Sequence, residues 1–200
     1  MNALLKTLFT ILLVGCMFGC SNRIVSLKDE IAPKELTDDQ KEIVELLSIN
    51  KQEILFFDYK TQEPYKSAEF WVEIYQEGVL VSRPAGLHRV SNEFEELNGN
   101  LAVLITQNPG FQWLFNMNGA SHVNSVPIFV DDSLARGYVP LGGPIAIQDG
   151  KEIVLYISVF SFPKEGAMLA MYSDLQRYAG HPELIKDYPY VHLIKCKFSK

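Results

Sequence analysis

The sequence predicts a mainly β protein: an antiparallel β-sandwich, immunoglobulin-like or jelly-roll-like, with an N-terminal helix and short helical segments near the C-terminus. Three observations carry this. Beyond residue 52 the apolar residues recur with a period of two, the mark of half-buried strands. Turn signals at Glu77-Gly78, Asn108-Pro109-Gly110 and Asp149-Gly150 each lie between two such runs. Helical spacing is confined to a few short stretches.

The first of these is "TDDQKEIVELL". Thr37 and Gln40 stand in capping-box register, Asp38 and Asp39 favour the positive helix N-terminus, and Ile43, Val44, Leu46 and Leu47 form one apolar face. A helix is expected over 38–48, lying on a sheet face, and the face that carries Trp71 and Tyr75 is the one it is expected to cover. "KQEILFFDYK" then predicts a strand over 53–59, and "SAEFWVEIYQEGVLVSR" a hairpin turned at Glu77-Gly78. Within it Phe70, Val72 and Ile74 share one face, and Trp71, Glu73 and Tyr75 the other. "NLAVLITQNPGFQWLFNM" predicts a second hairpin and "PIAIQDGKEIVLYISVFS" a third. "VPIFVDD" adds a short strand, and "YVHLIKCKF" a late partner for an earlier one. "SDLQRYAG" and "HPELIKDY" read as helical, with Gly180 ending the first and Pro182 suiting the first turn of the second.

Two hundred residues with 48% hydrophobic and 12% aromatic content suit one domain with a large core. The net charge of -6 provides no basic stripe for phosphates, so nucleic acid is not an expected partner. Residues 21–36 are polar and mixed, and read as a tether to a single domain over 37–200.

Residues 1–20 have one early charge, Lys6, and then an apolar run too short for a comfortable transmembrane helix, which needs about 20 residues. "LVGC" at Leu13–Cys16 and "MFGC" at Met17–Cys20 both end in Gly-Cys, the second followed by the small polar pair Ser21-Asn22. This segment resembles the signal of bacterial membrane lipoproteins. The resemblance implies cleavage before Cys16 or Cys20 and lipidation of that cysteine, palmitate among the chains. It further implies a mature domain held on the extracytoplasmic face of the cell membrane, since two or more acyl chains anchor stably where one does not. The mature domain resembles no family by its motifs.

The remaining cysteine, Cys196, shares a strand face with His192, Ile194 and Phe198, and is expected to be a buried, inert thiol. No cofactor is expected. The sequence holds no His-Glu-x-x-His, no Gly-x-Ser-x-Gly, no phosphate-binding Gly-rich loop and no EF-hand. Ser121 and His122 lie in a glycine-containing loop but would point opposite ways on extended backbone. "VDD" at 130–132 offers oxygen ligands without a calcium motif around them, and four scattered histidines give metal binding little support.

Two groups remain as candidate ligand-binding residues. Trp71 and Tyr75 share a face that, if exposed, would make a stacking platform for a glycan or peptide. Arg83 and His88, with Arg89, form a small basic patch in what reads as a loop. Trp113, on an entirely apolar face, belongs to the core. The expected function is a non-catalytic binding or interaction module with a protein or glycan target. An extracytoplasmic hydrolase with an unrecognised site is the alternative, and a pocket joining His88 or His122 to a carboxylate would favour it.

Overall fold

The computed structural model describes residues 28–49, 52–107, 110–123, 128–162 and 175–200. Two antiparallel sheets pack face to face as a β-sandwich. One sheet runs β10 (Ile145–Ala146), β1 (Glu30–Pro33), β2 (Gln52–Lys60), β6 (Gly99–Thr106), β7 (Gln112–Met117), β8 (Ala120–Val123). The other runs β4 (Val79–Ser82), β3 (Pro64–Gln76), β12 (Tyr190–Ser199), β11 (Glu152–Ser161), β9 (Ala135–Pro140), with β5 (Gly86–Glu96) also paired to β3.

The inner faces supply the core. Tyr59 of β2 meets Phe70 of β3 and Phe198 of β12 at ring separations of 5.8 and 5.6 Å. Towards the other end Trp113 of β7 meets His192 of β12 at 5.3 Å. Cys196 and Trp113 are buried there, as their positions in the alternation predict. A polar pin also joins the sheets: Arg136 of β9 pairs with Glu53 of β2, and the Tyr156 hydroxyl donates to Glu53 Oε2 at 2.8 Å.

In the second sheet β11 and most of β12 are buried on the outer face as well. Leu175, Tyr178 and Ile185 lie buried in a C-terminal crossing that contains two 3-10 turns, Leu175–Tyr178 and Pro182–Leu184. These occupy the two stretches expected to be helical. At the bulge between Val154 and Tyr156, the Gln176 side chain accepts from Val154 N at 3.0 Å and donates to Val154 O at 2.9 Å. A bulge interrupts the ladder, and here a side-chain amide supplies the missing partners.

Helix α1 (Asp38–Ile49) forms where its spacing predicts, and Thr37 and Gln40 exchange both capping-box bonds. Its packing differs from expectation. It lies against β2 rather than over Trp71 and Tyr75, and Ile43 and Leu46 are each 58% exposed. Within the stretch expected to be a tether, Glu30–Pro33 is instead a strand between β2 and β10 with Ile31 fully buried.

Of the predicted hairpins, β3–β4 and β6–β7 form. The one at Asp149-Gly150 does not. β10 pairs with β1 and β11 with β12 and β9, so the turn carries the chain from one sheet to the other. Gly150 has φ +67° and donates to Phe198 O at 2.8 Å, which is why the turn chemistry is present without the hairpin. The strand expected in "VPIFVDD" is a lone bridge from Ile128 to Phe111. Conversely Asn118-Gly119, with φ +50° and +88°, closes a β7–β8 hairpin where a loop was expected.

Candidate ligand-binding cleft

The site grows from strand alternation. On β3, Glu69, Trp71, Glu73 and Tyr75 face away from the sandwich core, and on β12 Lys195 lies opposite Trp71 and Lys197 opposite Glu69. Glu73 is therefore flanked on its own strand by two aromatic hydrogen-bond donors. Trp71 Nε1 donates to Glu73 Oε1 at 3.0 Å, and the Tyr75 hydroxyl to Oε2 at 2.8 Å. Lys195 Nζ lies 2.7 Å from Oε2 and also reaches Glu152 of β11 at 3.0 Å. Arg83, just beyond β4, closes the set with a guanidinium nitrogen 2.5 Å from Oε1.

Glu73 and Lys195 are 1% and 2% exposed. Burying either charge alone would cost several kcal/mol, so each requires the other. Burial tends to raise the Glu73 carboxyl, but the hydrogen bonds from Lys195, Trp71 and Tyr75 outweigh it and hold the group at about 2. The Tyr75 phenol is pushed up by burial and by its bond to this carboxylate, so it stays a donor.

Above this floor lies a cleft of about 300 Å³, lined by Glu69, Phe70, Trp71, Arg83, Gly86, Leu87, His88, Glu152 and Lys197. A Cβ at Gly86 would sit 3.1 Å from the Phe70 carbonyl oxygen and 3.3 Å from Trp71 Cβ, so glycine lets β5 begin tight against β3. Lys197 Nζ lies 3.4 Å from Glu69 Oε1, and His88 Nε2 stands 4.0 Å from the same oxygen, beyond hydrogen-bond distance. A larger hollow of about 580 Å³ is lined by Phe162, Tyr188 and Pro189 with Glu77, Lys186 and Asp187, and its three charged residues are all exposed.

Trp71, Arg83 and His88 thus meet in one cleft, and Tyr75 joins them through Glu73. The flat aromatic platform does not form. Trp71 and Tyr75 are both half-buried and tied to the carboxylate between them. Nor is the basic patch a loop: His88 and Arg89 lie on β5, opposite Glu69 and Ala68, so alternation sends them to different faces. Arg89 turns to the Tyr59 hydroxyl.

Cys16 and Cys20 lie outside the described residues. Ser121 and His122 sit on β8 opposite Asn116 and Phe115. Asp131 accepts from Ser133 N at 2.8 Å in a local turn, and among the described residues no cluster of three His, Cys, Asp or Glu could hold a metal. Glu69, Glu73, Glu152, Lys195 and Lys197 are the site residues that motif reasoning missed. "LIKCKF" places two lysines at i and i+2 opposite three apolar residues, but only the packed chain shows that Lys195 is covered and so needs facing carboxylates.

The sequence profile of the YgaN domain family matches residues 30–198, from the first residue of β1 to the penultimate residue of β12. The chain belongs to the YgaN domain family. No curated protein and no solved structure matches it. The YgaN match takes in both sheets and every cleft residue, so the cleft belongs to the YgaN domain itself rather than to an appended segment.

Proposed function

We propose that the protein is a membrane-tethered, extracytoplasmic binding module, with the cleft between Trp71 and His88 as its ligand site. One observation carries the binding reading. The cleft's polar walls stand on a buried, fully paired Glu73–Lys195 floor, so donors and acceptors are held in place before a ligand arrives. Such preorganisation lowers the entropic cost of binding. Among the described residues lining the cleft, none offers a hydroxyl or thiol nucleophile. Thermal unfolding of the full-length protein against glycans, cell-wall fragments, peptides and divalent metals tests this. A ligand at about a hundred times its Kd adds roughly 2.7 kcal/mol of stability. The expected outcome is a shift that disappears in Arg83→Ala and His88→Ala; a shift unchanged in both would place the ligand elsewhere.

The tether rests on the lipoprotein-like segment ending at Cys16 or Cys20. Among the described residues no helix is long and apolar enough to cross a membrane. Replacing each cysteine with alanine is expected to abolish lipid labelling in one single variant and in the double variant. Labelling that survives in the double variant refutes the anchor.

His88 beside Glu69 in a cleft that also holds Glu152 favours a second reading, an extracytoplasmic hydrolase in which a carboxylate activates water. Turnover of a bound ligand, lost in Glu69→Gln with binding retained, would establish it.

A further inference from the structure

We infer that the cleft receives an uncharged saccharide ring, an inference that rests on the cleft being a binding site. The charges come first. Glu69 and Glu152 on the walls are matched by Arg83 and Lys197, and Glu73 in the floor by Lys195. Each carboxylate already has a cationic partner: Lys197 for Glu69, Lys195 for Glu152, and Lys195 with Arg83 for Glu73. These pairs leave no unmatched carboxylate, guanidinium or ammonium on the walls for a charged ligand to neutralise, and a ligand that drew Lys195 or Arg83 away would leave Glu73 uncompensated in a fully buried position.

A hydroxyl asks for no such exchange. It donates to a carboxylate and accepts from a guanidinium or ammonium at once, so a ring bearing several hydroxyls can bridge neighbouring walls without disturbing either pair. Trp71 and Leu87 supply apolar wall. The indole's electron-rich face suits the C–H groups of a sugar, which carry partial positive charge. Size agrees: at ~30 Å³ per water, a cleft of about 300 Å³ holds about ten waters, the bulk of one sugar ring.

The test uses tryptophan emission, because the two tryptophans differ in place. Trp113 is buried in the core and Trp71 lines the cleft. Full-length protein in detergent micelles is titrated with glucose, N-acetylglucosamine and cellobiose, and separately with glycylglycine and inorganic phosphate, with calorimetry alongside. The expected result is a saturable emission change with at least one sugar, absent in Trp71→Phe and barely sensitive to salt, as for an uncharged ligand. His88→Ala and Glu69→Gln, both at partly exposed positions, should each weaken it about tenfold while melting like the parent. Saturation by the dipeptide or phosphate with no response to sugars overturns the saccharide class but leaves the cleft as a binding site. Silence with every probe by both methods overturns the site as well. Sugar binding of undiminished affinity in both variants overturns its location.

Discussion

At the residue scale the molecule turns on a carboxylate it has no obvious reason to bury. Glu73 stays ionised inside because four donors converge on two oxygens, and removing the ammonium alone should expose the cost. Lys195→Met is expected to lower stability by about 3–5 kcal/mol in urea unfolding, and adding Glu73→Gln should recover much of it. His192 is the other buried polar side chain of consequence. It lies among Phe111, Trp113 and Phe160, and Nε2 has no hydrogen-bond partner. Burial, assisted by the Arg136 charge, lowers its pKa from 6.5 to about 3. The unfolded chain therefore takes up a proton that the folded one refuses. Stability is full above pH 6.5 and falls as the pH drops towards 3, by about 5 kcal/mol from this group. Glu73 acts in the same direction between 4.5 and about 2. Unfolding free energy measured from pH 7 to 4 should fall steeply in the parent and less so in His192→Phe. Equal slopes would remove His192 from this account. The sequence revealed the face each of these residues occupies, but not that Glu73 would be buried on the outer face of β3.

At the element scale, local chemistry and pairing separate cleanly. The α1 capping box forms as its residues dictate, since both bonds close within four residues. What the helix covers depends on which strand lies beneath it. Because Ile43 and Leu46 remain exposed, its stability rests on the cap more than on packing. Thr37→Ala should raise amide exchange across Asp38–Ile49 by about 1 kcal/mol of opening free energy, with little change in global unfolding. A matching loss of global stability would mean that α1 is integral to the core. Asp149-Gly150 teaches the complementary lesson. Its glycine takes the left-handed conformation the turn needs, yet the flanking runs join different sheets, because β11 finds two long partners in β9 and β12. Asn118-Gly119, of the same chemistry, does close a hairpin.

At the scale of the whole molecule the two sheets are held by apolar rings and, among the described residues, by an ionic pin. Arg136 reaches Glu53 and Tyr156, stacks over Phe111 at 5.1 Å, and takes Ser158 Oγ at 2.7 Å. Arg136→Leu should cost about 3 kcal/mol or more, because Glu53 would be left part-buried without its cation. A melting temperature unchanged by the substitution would show that the aromatic core alone joins the sheets. The amino-acid sequence by itself determined the β-rich class, the helix and its cap, the two near hairpins and the burial of Cys196. All of these follow from period, turn residues and contacts close along the chain. Tertiary structure alone decided the strand order, the covering of the outer faces of β11 and β12, and the cleft. Those depend on pairings such as Glu73 with Lys195, separated by more than a hundred residues, and neither partner marks the other in the sequence. Side-chain alternation says that a residue faces outward; only the packed chain says what it will meet there.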